Sequence, residues 1–322
     1  MKAAIVLGAG RTPVYGDFSE PLPSSGESRV TVTAAALSPL VRGRASGAHY
    51  SASGQFPLVP GVDGVGRLDD GSRVYFLLPR APYGGMAERT VVSSAQCLAL
   101  PDEVDDVTAA AIANPGMSSW AALTERARLK AGETVLVNGA TGAAGRLAVQ
   151  IAKHLGAKKV IATGRNVDAL KSVAALGADV AIPLVEDGAA LEDALKGQFA
   201  AGVDVVLDYL WGRSAERILI AGAKAAADAA PIRFVQIGSA SGPDITLPGA
   251  ALRAKAIALM GSGIGSVSAD RLIRCIDALL RATAPGGLKI AVKPVPLSEV
   301  EQAWPRDDSG RRTVFTVDAR TS

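Results

Sequence analysis

At 322 residues the chain is longer than one hydrophobic core usually serves, so two domains are expected. Its 48% hydrophobic and 20% charged residues describe a globular enzyme rather than a disordered or fibrous chain. The net charge of +3 is dispersed, which argues against a nucleic-acid or membrane patch, and no stretch nears the roughly twenty apolar residues that span a bilayer.

The start, Met1 to Leu7, reads as a first β-strand; its apolar run is too short and too soon interrupted, at Arg11, for a signal peptide. Arg29-Val-Thr-Val-Thr33 alternates as a half-buried strand does, and Val74 to Leu78 and Thr90 to Val92 are further strands between glycine- and proline-rich turns. These describe a small distorted barrel. From Asp106 the pattern turns helical: Thr108 to Ile112, a break at Asn114-Pro115-Gly116, then a second helix through Trp120 and Leu123. Strands Val135–Val137, Val160–Thr163, Val180–Ile182, Val203–Leu207, Phe234–Ile237 and Ile257–Met260 then alternate with helices such as Asp168–Leu176 and Arg213–Ala227. That alternation predicts a parallel sheet covered on both faces. The tail returns to β character, with strands at Leu288–Val292 and Thr313–Val317 around a short helix begun by the capping box Ser298-Glu-Val-Glu301. It is expected to pack back on the first part. The domains expected are 1–118, completed by 287–322, and 119–286.

The sharpest motif is Val135-Leu-Val-Asn-Gly139-Ala-Thr-Gly142-Ala-Ala-Gly145. A buried strand runs into a glycine turn. A helix follows with Leu147, Ala148, Ile151, Ala152 and Leu155 on one face and Arg146, Gln150 and Lys153 on the other. Gly156 ends that helix. Such a strand-turn-helix-strand unit cradles a pyrophosphate on bare N–H groups and a helix N-terminus. The next strand ends in Gly164-Arg165-Asn166, where NAD sites carry a carboxylate for the ribose 2′-hydroxyl. Here there is none. Arg165 can instead pair with a 2′-phosphate, with Gly164 leaving room for it, and the expected cofactor is NADPH. The bland alternative is an arginine on the surface.

Two cysteines, Cys97 and Cys275, and two histidines, His49 and His154, cannot plausibly assemble a zinc site of the usual ligands, so no metal is expected. The same cysteine usage fits a reducing cytoplasm. His154 reads as a solvated helix residue. Arg42 with Arg44, and Arg311 with Arg312, read as solvated surface.

The chain resembles the medium-chain dehydrogenase/reductase superfamily, in its zinc-independent quinone oxidoreductase branch, over nearly its whole length. The carriers are Pro60-Gly61-Val-Asp-Gly64-Val-Gly66, Gly84-Gly85-Met-Ala-Glu88, Gly116-Met-Ser118-Ser-Trp-Ala-Ala-Leu123, the glycine turn, Asp204-Val-Val-Leu-Asp208 and Val235-Gln-Ile-Gly238-Ser239. The resemblance implies an α/β protein: a GroES-like distorted β-barrel domain built from both chain ends around a Rossmann domain, with a homodimer formed through the last parallel strand. Where zinc members carry a Cys and a Gly-His-Glu motif, this chain has Ser38-Pro39 and Gly61-Val-Asp63. Ser118, Thr141, Gly142, Ala143, Ala144, Gly164, Arg165, Asn166, Ile237, Gly238, Ser239, Gly261 and Ser262 are the expected cofactor contacts. Gly261-Ser262 is a weak glycine motif on its own, and Asp208 could serve only to cap a turn.

The implied activity is hydride transfer from NADPH to a quinone or an α,β-unsaturated carbonyl. Tyr50 and Ser38 are the candidate catalytic groups, able to donate a hydrogen bond to a developing oxyanion or to relay a proton; Tyr50 could equally pack on the barrel as a loop aromatic. Two alternatives stay open. One is an alcohol or carbonyl reductase on this scaffold, disfavoured because no Lewis acid would polarise a simple carbonyl. The other is an NADPH-binding redox sensor without turnover.

Overall fold

The computed structural model describes residues 1–48, 54–184, 188–306 and 310–317. The chain divides into two compact units, one of Met1–Asn114 with Leu280–Ser322 and one of Pro115–Leu279.

The first unit is β-rich. A two-stranded ribbon pairs β1 (Lys2–Ile5) with β2 (Val14–Asp17). A larger sheet follows from β3 (Glu27–Ala36), β4 (Asp63–Leu68), β5 (Arg73–Leu77), β6 (Arg89–Ser93) and β7 (Cys97–Ala99). The short helix α1 (Pro39–Ala45) leaves β3 directly. β3 organises the sheet. Its first half pairs with β6 and β4, and after a register shift between Val32 and Ala34 its end pairs with a strand from the C-terminal tail. Such a shift bends a strand, which is how one strand serves three neighbours. Val30, Val32, Ala35, Phe76, Met86 and Phe315 fill the core beneath.

The second unit begins within α2 (Asp106–Ala121), which continues as a π-helical turn, Ala122–Arg126. It then alternates: β8 (Thr134–Asn138), α3 (Ala143–His154), β9 (Lys159–Gly164), α4 (Val167–Val173), β10 (Val180–Pro183), α5 (Gly188–Ala200), β11 (Val205–Asp208), α6 (Gly212–Ala225), β12 (Ile232–Gln236), α7 (Gly249–Ala254) and β13 (Ile257–Gly261). The six strands are all parallel, in the order β10-β9-β8-β11-β12-β13. This is the doubly wound order of a Rossmann domain, whose direction of winding reverses between its first and fourth strands. β8 is buried along its whole length, as a strand covered on both faces must be. After α8 (Ala269–Thr283), β14 (Val292–Pro296), α9 (Val300–Ala303) and β15 (Arg312–Thr316) return to the first unit, where β15 pairs with β3.

Several local expectations are corrected. No break occurs at Asn114-Pro115-Gly116: α2 runs through it with Pro115 inside. Proline there removes one backbone donor, and the Ser118 hydroxyl donates to the Pro115 carbonyl at 2.7 Å. The strand expected at Leu288–Val292 lies later, at Val292–Pro296. It holds Pro294 and Pro296, tolerated because β14 is the sheet's edge. The capping box at Ser298 does not form: Leu297–Glu299 is a 3₁₀ turn without a side-chain cap, and Glu301 instead accepts from the Tyr15 N–H at 3.2 Å. Gln150, expected on the polar face of α3, is buried, its amide donating to the Arg146 carbonyl at 3.1 Å. Neither arginine pair is simple solvated surface. Arg42 donates to the Arg306 carbonyl at 2.7 Å and Arg44 lines a pocket. Burial pulls the Arg312 guanidinium down, against the opposing charge of Asp63.

Candidate cofactor site at the sheet edge

Because the sheet is parallel, the turns after β8, β9, β11, β12 and β13 all open at one edge. From β9 to β13 is four strand spacings, roughly 19 Å, so a ligand touching both ends must be long.

The three turn glycines do different work. Gly139 has φ +94 and lies against Leu210, which a side chain there would meet at 2.9 Å. At Gly145 a Cβ would stand 2.2 Å from the Gly139 carbonyl oxygen, so the helix can approach the strand only without one. Gly142 is the exception: its φ is −77, and a Cβ there would meet only the Gly139 oxygen, at 3.9 Å. Among the described residues no packing contact requires glycine at 142. What it leaves is open space over the N-terminus of α3, where Gly142 is the N-cap and no side chain caps the first turn. Ala143 and Ala144 present the uncapped N–H groups of that turn. A pyrophosphate fits this cradle.

Gly164 corrects an expectation. It is buried, and a Cβ would clash with Thr141 Cγ2 at 2.5 Å. Its lack of a side chain makes room for Thr141 of the glycine turn, not for a phosphate. Arg165 and Asn166 are exposed beside it. The Asn166 Oδ1 accepts from the Ala169 N–H at 2.9 Å and caps α4, so its amide NH₂ and the second lone pair of Oδ1 remain for a ligand.

A buried polar chain ties the strands together beneath this edge. Thr163 Oγ1 donates to Asn138 Oδ1 at 2.7 Å, and Asn138 Nδ2 donates to Asp208 Oδ1 at 2.7 Å and to Ser214 Oγ at 2.9 Å. Asp208 also accepts from the Leu210 and Trp211 N–H groups, each at 3.1 Å. It therefore caps a turn and anchors a network. Burial raises its carboxyl above the usual range despite these donors.

Tyr209 was not legible as a site residue. Its hydroxyl and that of Ser119 share a hydrogen bond at 2.7 Å, and Ser119 also reaches the Ala144 carbonyl at 3.4 Å. Burial pushes the phenol up to about 12. Its one sequence signal is position, immediately after the fourth strand at the ligand-binding edge. The following loops are laced to it: the Ile237 and Gly238 N–H groups donate to the Asp208 carbonyl at 2.7 and 3.1 Å. A Cβ at Gly238 would sit 2.8 Å from the Tyr209 carbonyl. Ser239 and Gly261 are exposed at the same edge, Ser262 half-buried.

In the barrel unit, Ser38 is 5% exposed and N-caps α1, its Oγ accepting from the Val41 N–H at 3.1 Å. Its hydroxyl proton remains free to donate. Tyr50 and His49 lie outside the described residues. His154 is exposed at the end of α3, its ring 5.8 Å from that of Trp120. Among the described residues no three His, Cys, Asp or Glu side chains come together as a metal-ligand set.

Residues 143–281 match the family described as "Zinc-binding dehydrogenase". The probable NADPH-dependent quinone reductase tdiC of Emericella nidulans is 30% identical over 356 residues, spanning 98% of this chain and 99% of that protein. The chloroplastic NADPH-dependent alkenal/one oxidoreductase of Arabidopsis thaliana is 31% identical over 175 residues, 49% of this chain and 45% of that protein. Among solved structures, the quinone oxidoreductase of Thermus thermophilus, also determined in complex with NADPH, superposes with a TM-score of 0.82 at 28% identity, covering 98% of this chain and 100% of that one. The winding order of the parallel sheet, the glycine turn and this full-length likeness place the chain in the medium-chain dehydrogenase/reductase superfamily, in its quinone oxidoreductase-like branch.

Proposed function

We propose that the protein is an NADPH-dependent oxidoreductase that reduces a quinone or an α,β-unsaturated carbonyl without a metal. The observation that carries this is the open cradle at Gly142 on a chain alike from end to end to an NADPH-dependent quinone reductase. NADPH, when bound, supplies a hydride; with one proton taken from water, a quinone leaves as the hydroquinone and the cofactor as NADP⁺.

The chain's own residues bind and orient. The N–H groups of Ala143 and Ala144 hold the pyrophosphate, and Arg165 pairs with the 2′-phosphate. Thr141 and Gly164 set the turn against β9. Ser118, Ile237, Gly238, Ser239, Gly261 and Ser262 line the remaining edge. Ser38 and Tyr50 are the donors we assign to the developing oxyanion. Orientation can supply about 7–11 kcal/mol of such a barrier, so Tyr50→Phe is expected to slow turnover by about tenfold to a hundredfold, the loss of one donor, with NADPH binding intact.

The reading is tested by NADPH oxidation with a panel of small quinones and enones. Tight NADPH binding without oxidation by any of them overturns it. Metal analysis of the purified protein is expected to find far less than one zinc per chain, with activity indifferent to chelator. Cys97 and Cys275 are free, which supports the cytoplasmic localisation we assign. We also assign a homodimer, formed at the β13 edge.

A further inference from the structure

The barrel unit holds a pocket that none of the residues assigned to hydride transfer lines. Its volume is about 60 Å³, room for a few waters or one small polar group rather than a ring system. Apolar side chains line it, Val41 and Ala45 of α1 with Leu58, Val62, Leu78 and Pro82 around them, while about half of its exposed surface is polar. Two lining side chains carry polar atoms. The hydroxyl of Tyr83 is already engaged, 3.4 Å from Ser19 Oγ and 3.3 Å from the Glu20 carbonyl. The other is Arg44, half-buried, whose guanidinium has no hydrogen bond or ion pair with any described residue. Its neighbour Arg42 shows the contrast, with a carbonyl partner at 2.7 Å.

A guanidinium partly out of water is costly unless something pairs with it. Burial already pulls this one below its usual range, with no carboxylate among the described residues to oppose the pull. Its planar fork of donors matches a carboxylate or an ionised enolic oxygen. The plainer account is a stem lying on apolar surface with its head in water. That account leaves the pocket idle and makes the charge of residue 44 irrelevant to any ligand.

The pocket is tied to the candidate donor by α1 itself. Ser38 caps the helix at one end and Arg44 sits in its last turn. Arg44 stands six positions after Ser38, a rise of roughly 9 Å along the axis. Ser38 does not itself line the pocket, so an acceptor that meets both groups must carry its acidic end on a spacer beyond the reacting ring.

We propose that this pocket takes the anionic end of the electron acceptor, with Arg44 as its counter-ion, so that the preferred substrates are quinones or enones carrying a carboxylate or an ionised enolic oxygen. The proposal rests on the oxidoreductase reading. The redox balance is unchanged: hydride from NADPH and a proton from water reduce the acceptor, and the acidic group is neither made nor consumed.

The test compares 3-(1,4-naphthoquinon-2-yl)propanoate with its methyl ester on the intact protein. The wild type is expected to favour the acid in kcat/KM by roughly tenfold to a hundredfold, the worth of one charge-assisted pair. That ratio should fall close to one in Arg44→Met through the KM of the acid, recover in part in Arg44→Lys, and shrink in the wild type as salt is added. A wild-type ratio near one, or a ratio unchanged in Arg44→Met, overturns the proposal. Should Arg44→Met fail to fold, the salt series and Arg44→Lys decide in its place. Should neither compound be reduced, the wider quinone and enone panel judges the oxidoreductase reading, and calorimetric titration of the same pair decides the pocket: tighter binding of the acid, lost in Arg44→Met, upholds the anion site, and equal binding of acid and ester overturns it.

Discussion

Single residues at the sheet edge divide into those the fold needs and those a ligand needs, and substitution separates them. Gly145→Ala forces a Cβ against the Gly139 carbonyl at 2.2 Å. It should cost about 1–3 kcal/mol of stability, as overpacking does, and show as a lower melting temperature. Gly142→Val meets no such clash, so it should melt near the wild type yet lose NADPH binding, because its side chain fills the pyrophosphate cradle. A wild-type affinity in Gly142→Val would remove the cradle from the site. Arg165→Ala should weaken NADPH by about tenfold or more, the value of a charge-assisted bond, and leave NADH almost unaffected. Equal weakening of both, measured by fluorescence titration, would take Arg165 away from the 2′-phosphate. Asp63 is a different case. Burial pushes its carboxyl up to about 6, against the Tyr75 hydroxyl at 2.7 Å and the charge of Arg312. The unfolded value is about 3.9. Between these values the folded state holds the proton more tightly, so stability falls as pH rises from about 4 to 6 and is level above. Asp63→Asn removes that slope. Its stability relative to the wild type should rise across the window by up to roughly 3 kcal/mol; a flat difference in denaturation midpoints from about pH 4 to 8 would show the carboxyl titrating normally.

At the scale of elements, the alternation of strand and helix was readable wherever burial on both faces made the strand apolar throughout, as in Val135–Val137. It was misread where tertiary contacts outweigh local chemistry. Asn114-Pro115-Gly116 looks like a break by propensity, yet α2 passes through, and packing explains it: Gly116 is pressed on Leu279, which a Cβ would meet at 2.5 Å. Val292-Lys-Pro-Val-Pro296 looks unlike a strand until its place at the sheet edge is known. Tyr209 belongs here too, since its bond to Ser119 joins α2 to the end of β11. Tyr209→Phe breaks a buried bond and should destabilise by about 1–3 kcal/mol, the penalty for leaving a buried partner unpaired. Differential scanning calorimetry that finds no change would make the pair incidental.

For the whole molecule, the parallel sheet ends at β13, whose far side has no strand partner among the described residues. Leu259 on that strand is 40% exposed. A bare apolar edge invites pairing, and this supports the homodimer assigned above. The protein is expected to scatter light as a dimer at micromolar concentration, and Leu259→Lys to shift it toward monomer. Monomer mass in the wild type would end that assignment.

The sequence by itself determined the class of the fold and pointed to the glycine turn as the pyrophosphate end of the candidate site, because both rest on local patterns. A covered parallel strand must be apolar at every position, and a glycine turn between strand and helix is contiguous in the chain. Tertiary structure alone decided the rest. It showed that Gly164 serves Thr141, that Gly142 is free of any packing need, that Asp208 anchors Asn138 and that Tyr209 meets Ser119 ninety residues away. It also left Arg44 beside a small pocket without a partner among the described residues. These are relations between distant parts of the chain. They depend on which strands become neighbours, and a local pattern of residue types carries no record of that.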